Sequence, residues 1–423
     1  MTQDQAQDRP QDPTQDPKSA RPAVLAGLRV LDLSHQYSGA NAAAILADLG
    51  ADVVTVETPD GSPIRTMLPK KDGHSMWWKV IQRGKRAVTL RLSTPKGREL
   101  FLKMATQFDV IVENFRPGTL EKWGIGPADL EAAGANVMLL RISGFGQTGP
   151  NRHLPGFGTV AEALSGFAHM NGFKDGPPVF PSTTLGDGVA SLFGLIGVLA
   201  GMTSKLKQGT RGVDVVDVAL FEALFRIVPT QVATYDQLGK APMRPGNFLG
   251  EHGVLRSCYR TQDEKYLIVS AVGPQAIRRI LVAARAEALI AECDSGIMVN
   301  PDTQAVQRFL SNCNVHLIDW MGSHPYESLV ADLRAADAVH SPVYSAAEIV
   351  QDPHFLARED VISVPDEELG PIRMQGVVPK FPGRTHQVRH AGRARGADNA
   401  QVLGELLGLT ESDLATLRED GVI

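Results

Sequence analysis

The segment TTLGDGVASLFG sets one aspartate, Asp187, between two glycines at the start of a long apolar stretch. Gly186 and Gly188 leave its carboxylate bare of neighbouring side chains, and the stretch behind it fixes its position. Two roles are open to it. An aspartate at a helix start accepts amide hydrogen bonds as an N-cap. An ionised aspartate, with an ordinary pKa of about 3.9, can instead attack an activated acyl carbon and form an anhydride. Small flanking residues would then let a bulky acyl group approach.

Other chemistry-bearing residues sit at strand ends. VENFRPG offers the amide of Asn114, the ring of Phe115 and the cation of Arg116. An arginine suits phosphate and a ring suits adenine or an acyl chain; Asn114 to Gly118 also read as a plain strand-to-turn exit with a solvated Arg116. His35 follows the first strand, where open α/β sheets bind ligands. QRGKRAV presents Arg83, Lys85 and Arg86 either to a nucleotide phosphate or simply to solvent. GFGQTG has the glycines of a dinucleotide loop after a strand, but Pro150 and NRHLPGFG follow it instead of a helix, so a nicotinamide or flavin site lacks half its fingerprint. No GxxxxGK[ST], HExxH or GxSxG segment occurs.

The elements that must hold these residues alternate. LRVLDLS, ADVVTVE, AVTLRL, DVIVENF, VMLLRIS and VDVVDVA read as strands. Helices are expected over 39–49, 95–108, 187–207 and 220–238. This pattern predicts an α/β chain whose largely parallel sheet is covered on both faces. Thr94 before Pro95 is a sound helix start. A Pro/Gly-rich stretch, KAPMRPGNFLGEHG, marks a domain boundary. The expected organisation is a polar tail at 1–22, a large α/β domain from 23 to 240, a smaller unit at 241–338, and a segment at 339–423 that returns to the large domain. The small unit should hold one strand, YLIVSAV, and helices over 274–292, 302–320 and 326–336. The basic loop at 380–396 reads as a solvated connector.

Composition bounds the rest. The 423 residues suit two or three domains. A net charge of -5 gives no field to gather nucleic acid or anionic membrane. Three cysteines form neither a disulfide framework nor a zinc spacing, and a reduced, cytoplasmic compartment is expected. The stretch from Val189 to Met202, interrupted by three glycines, is expected to be a buried helix and not a membrane span.

In order and spacing, several segments resemble the family III CoA transferases, which include formyl-CoA:oxalate and carnitine CoA transferases and related acyl-CoA racemases. They are LRVLDLSHQYSGANAAAILADLGADVVTVE, QRGKRAVTLRLSTPKGRE, DVIVENFRPGTLEKWGIG, ISGFGQTGP, the Gly-Asp-Gly turn and GVDVVDVALFEA. SPVYSAAEIVQDPHFLARE, ELGPIRMQG and the final LGELLGLTESDLATLREDGVI also fit. The resemblance spans about residues 25 to 423 and is weakest in the small unit. It implies a Rossmann-like large domain built from N- and C-terminal segments, a smaller α+β domain and an interlocked-ring homodimer, with a homologous partner subunit as the alternative. It implies that Asp187 is a nucleophile passing CoA between an acyl-CoA and a free carboxylic acid, with no metal or redox cofactor. It implies CoA contacts at His35, Tyr37, Ser38, Leu90, Asn114, Phe115, Arg116, Lys122 and Phe157. The racemases carry an acid/base histidine where Phe157 stands here, so transfer is favoured over proton exchange. Three features depart from the pattern. His35 stands where many members have arginine, Ala40 replaces a proline, and the glycine-rich flap is reduced to GNFLGEHG at 246–253.

Overall fold

The computed structural model describes residues 21–249 and 254–423. The expected polar tail, apart from Arg21 and Pro22, and the last four residues of GNFLGEHG lie outside the described residues. The chain divides into two compact units. One runs to Ser165 and also takes in Pro181–Pro229 and Pro353–Ile423; the other comprises Gly166–Phe180 and Thr230–Asp352.

The first unit is built on six parallel strands: β1 (Arg29–Asp32), β2 (Asp52–Glu57), β3 (Arg86–Thr89), β4 (Val110–Glu113), β5 (Met138–Ser143) and β6 (Asp214–Ala219). Their order across the sheet is β3-β2-β1-β4-β5-β6. That is the doubly wound order, in which the chain reverses direction between β1 and β4. Side chains alternate between two separate cores, as a period of two requires. Val30, Val53, Val110, Val112 and Leu140 enter one core with α1 (Ser38–Asp48). Leu31, Val54, Ile111 and Leu139 enter the other with α2 (Pro95–Ala105). Thr94 caps α2 as its sequence foretold, accepting from the Gly97 amide at 3.0 Å.

α3 (Gly158–Leu164) and α4 (Leu185–Gln208) lie on the α1 side. Gly194, Gly197 and Gly201 of α4 bring it against the sheet: a Cβ at Gly197 would stand 2.5 Å from Val216, and one at Gly201 would stand 2.2 Å from Met138. Its burial is one-sided. Ala190, Ser191, Gly194, Leu195 and Val198 are buried, whereas Leu192, Ile196 and Leu199 are exposed. The helix expected to be buried is therefore buried on one side, and it is long and apolar enough to cross a bilayer.

The C-terminal segment adds a two-stranded antiparallel sheet, Val361–Val364 with Ile372–Gln375, and helices, but no strand to the six-stranded sheet. α5 (Asn399–Leu407) closes the β3 edge, where the Asp398 carboxylate accepts from the Ala87 amide at 2.7 Å and the Asn399 side-chain oxygen from the Thr89 amide at 2.8 Å. α6 (Glu411–Glu419) and the terminal Ile423 enter the same core as Leu31.

In the second unit, Val254–Arg260, Tyr266–Val272 and His340–Pro342 form an antiparallel sheet that packs with helices Pro274–Ala283, Thr303–Gly322 and Tyr326–Ala335. Its limits differ from 241 and 338. His340–Pro342 pairs with Tyr266–Val272, so the chain has not left this unit at 338. At the other end, Pro229 splits the expected 220–238 helix into Leu220–Arg226 and Gln231–Leu238 because proline denies a helix an amide and crowds the preceding turn. The expected 274–292 helix also breaks, at Arg285 with φ 53°.

Candidate active site

Asp187 is the third residue of α4, one turn inside the position an N-cap would take; Thr184 holds the cap position without a capping hydrogen bond. The carboxylate accepts from its own amide and from the amide of Gly158 at the start of α3. Both are end-of-helix amides with no partner inside their own helix. Two glycines allow this convergence. A Cβ on Gly158 would lie 2.2 Å from the Asp187 Oδ2 atom, and one on Gly186 would lie 2.9 Å from the Gly158 carbonyl oxygen. Burial, and then the negative charge of nearby Glu162, push the Asp187 carboxyl up to about 6.

The turn between β1 and α1 faces this group. Tyr37 is hydrogen-bonded to Thr184, and burial raises its hydroxyl pKa. The Ser191 hydroxyl donates to the Ser38 carbonyl at 2.6 Å and contacts the Asp187 carbonyl at 2.8 Å, joining α1 to α4. On the other side of the turn the His35 amide donates to Asn114 Oδ1 at 2.8 Å. Asn114 Nδ2 returns a bond to the His35 carbonyl and contacts Ser38 Oγ at 3.2 Å. The His35 and Phe115 rings meet edge to face with centroids 4.8 Å apart, and Phe115 packs likewise on Trp123 at 5.1 Å. Burial holds the His35 imidazole below its ordinary pKa. His35 and Asn114 thus lie at the carboxyl ends of β1 and β4, at the reversal point where such sheets take ligands.

Below them the Glu113 carboxylate accepts from the Phe115 amide and from Arg141, each at 2.7 Å, and Arg141 reaches on to Glu121 at 2.7 Å. Burial pushes Glu113 up to about 7 against the pull of Arg141. The network fixes the Asn114-Phe115 turn and the helix Thr119–Trp123, which carries an exposed Lys122. Arg116 is exposed on the same turn. Phe157 is 65% exposed and directly precedes Gly158. Leu90 is different. It is packed in the core with Leu31 and Val56, and its amide is engaged by the Glu57 carbonyl, so its side chain offers no surface to a ligand.

Neither expectation for the 82–88 run holds. Lys85 is fully buried against Asp32 at 2.8 Å and also donates to the Ala40 carbonyl at 2.7 Å. Arg83 pairs with Asp48, and Arg86 with Asp52. Lys85 and Arg83 are held by β1 and α1, Arg86 by β2 and α5, and all three are spent within the fold.

Beside the Asp187 end of α1 opens a cavity of about 540 Å³, with Tyr37, Asn41, Met76, Trp77, Thr183 and Thr184 in its lining. The Tyr37 and Trp77 rings stand perpendicular at 5.5 Å. Gly158, Glu162 and Ser191 were not singled out by sequence. The one available signal was the spacing of Gly158 and Glu162, which share a helix face.

A doubly wound sheet with a proton-hungry carboxylate at its reversal point defines a ligand-binding enzyme suited to group transfer. Comparison with known proteins gives the class its name. The model of CoA-transferase family III matches residues 25–399, and the chain belongs to that family. It is 33% identical over 413 residues to succinyl-CoA–D-citramalate CoA-transferase of Chloroflexus aurantiacus, covering 95% of this chain and 98% of that one. It is 33% identical over 403 residues to the beta subunit of succinyl-CoA–L-malate CoA-transferase of the same organism, covering 94% and 98%. It is 29% identical over 417 residues to formyl-CoA:oxalate CoA-transferase of Streptomyces avermitilis, covering 94% and 99%. Among solved structures, a CAIB/BAIF family protein from Brucella suis superimposes with a TM-score of 0.78 at 24% identity, covering 91% of this chain and all of that one.

Proposed function

We propose that this enzyme moves CoA from an acyl-CoA to a free carboxylic acid with Asp187 as the covalent carrier. One observation supports this above the rest: Asp187 is half-buried beside the reversal point, held by two helix-end amides and raised to about 6. Such a carboxylate is ionised at neutral pH yet more basic, and so more nucleophilic, than an exposed one.

In the proposed cycle an Asp187 oxygen attacks the thioester carbon, the C–S bond breaks, and the products are an aspartyl anhydride and CoA thiolate. The thiolate then attacks the aspartyl carbonyl of the anhydride, releasing the first acid and leaving aspartyl-CoA thioester. The acceptor carboxylate repeats the first step on that thioester, forming a new anhydride and freeing the thiolate. Attack on the new acyl carbon yields the second acyl-CoA and restores the carboxylate. The amides of Gly158 and Asp187 orient the group; His35, Tyr37, Ser38, Asn114, Phe115, Arg116, Lys122 and Phe157 are the proposed CoA contacts, and the cavity beside Tyr37 and Trp77 takes the acyl group. Leu90 could contribute only its backbone carbonyl. The thioester supplies its own activation, so the cycle calls for no metal or redox cofactor. Three free cysteines agree with a reduced, cytoplasmic setting.

A homodimer is proposed, its contact including the exposed apolar face of α4. A second reading is favoured by relatives named as alpha and beta subunits: the chain works beside a homologous partner. Assaying the purified chain with succinyl-CoA, a donor named in several relatives, against a panel of free acids separates the two. Transfer by the single chain supports the first reading; transfer only after adding a homologous subunit supports the second.

A further inference from the structure

Glu162 follows Gly158 by four residues on α3, so both project from one helix face toward the first turn of α4. Gly158 meets the Asp187 carboxylate, and Glu162 Oε1 accepts from the Gly186 amide at 3.2 Å. The residue is 2% exposed. Its partners are amides, and among the described residues no lysine or arginine pairs with it. A buried carboxylate without a cation is costly. Holding a helix-end amide explains an oxygen at this place, which glutamine would also supply. It does not explain a charge beside the catalytic carboxylate.

The proposed cycle gives that charge a task. Asp187 is anionic only at rest; as anhydride or thioester it is neutral. A fixed negative neighbour raises the energy of the resting anion and leaves the neutral forms untouched. We propose that Glu162 is a positioning residue whose oxygens hold the first turn of α4 and whose charge drives Asp187 from carboxylate to acylated forms. This rests on Asp187 being the nucleophile. The groups facing Asp187 are few. From α3 come Glu162 and the Gly158 amide, from the turn before α1 comes the Tyr37 hydroxyl, and from Leu220–Arg226 the apolar Leu224 stands against Gly186. Glu162, whose own carboxyl is raised by burial, is thus the one titratable neighbour whose charge pushes Asp187 toward about 6.

The test is single-turnover discharge of acyl-CoA from pH 5 to 8, with the modified Asp187 quantified by mass spectrometry, in wild type, Glu162→Gln and Glu162→Asp. Glutamine keeps an acceptor and removes the charge. Its pH midpoint should move down by about half to one unit, and its plateau rate should fall roughly three- to tenfold as the nucleophile becomes less basic. Glu162→Asp keeps the charge, so its midpoint should stay near that of wild type even where its rate falls, which separates charge from a simple loss of fit. An unchanged midpoint and plateau in Glu162→Gln, with Asp187 still modified, overturns the role of Glu162 alone. Absence of modified Asp187 in the wild-type enzyme overturns the nucleophile itself, and this inference with it.

Discussion

At the residue scale, the site depends on how closely two helix ends approach. Gly158→Ala would set a Cβ 2.2 Å from Asp187 Oδ2. The strain should be relieved by shifting the carboxylate, and a displacement of about 1 Å costs on the order of a hundredfold in rate; kcat should fall while the melting temperature changes little. The raised pKa of Asp187 carries a sign for stability as well. Between its unfolded value near 3.8 and about 6 the folded protein binds the extra proton, so this group's contribution to stability falls as pH rises through that window and is constant above it. Asp187→Asn should therefore raise the melting temperature at pH 8 and lose that gain at pH 4, while abolishing transfer. Thermal melts at the two pH values check it. Asp187 was legible in sequence through its glycine neighbours, yet its two readings could not be separated there. A capping aspartate and an inward-held one differ only in where another helix begins, and α3 begins nearly thirty residues earlier in the chain.

At the element scale, the short runs such as LRVLDLS and DVIVENF and the Thr94-Pro95 start foretold the six strands and α2, because each of those signals is local. Lys85 was misread because its partner Asp32 lies on a different strand, and a charge run says nothing about what folds over it. The pair is fully buried and tied to α1 through Ala40. Asp32→Ala should cost about 3 to 5 kcal/mol, since it leaves a buried ammonium without its counter-charge; Asp32→Ala with Lys85→Met should recover much of that. Denaturant titration of the single and double variants measures both. α4 was half legible. Its apolar length was plain in sequence, but which side the sheet would cover was set by Gly194, Gly197 and Gly201 packing on Leu140, Val216 and Met138.

At the scale of the whole molecule, that uncovered side carries the prediction. Leu192, Ile196 and Leu199 recur on one exposed face of α4, a spacing that presents a continuous apolar stripe, which water would leave bare only at a cost. Light scattering after size exclusion should give twice the chain mass for the wild type, and Ile196→Glu with Leu192→Glu should shift it toward one chain. The two-unit division was visible in outline from the Pro/Gly-rich stretch, but its limits were not, because strand His340–Pro342 pairs back on Tyr266–Val272 and residues 166–180 join the second unit from a distant part of the sequence.

The claim on which all three scales converge is that Asp187 becomes covalently acylated. The most direct measurement is to mix the purified chain, beside its homologous subunit if transfer proves to need one, with an acyl-CoA that it turns over, quench with hydroxylamine and map the modified peptide by mass spectrometry. The account predicts a hydroxamate on Asp187, absent without acyl-CoA and absent in Asp187→Ala. Full transfer activity in Asp187→Ala, or a hydroxamate at another carboxylate, would contradict it.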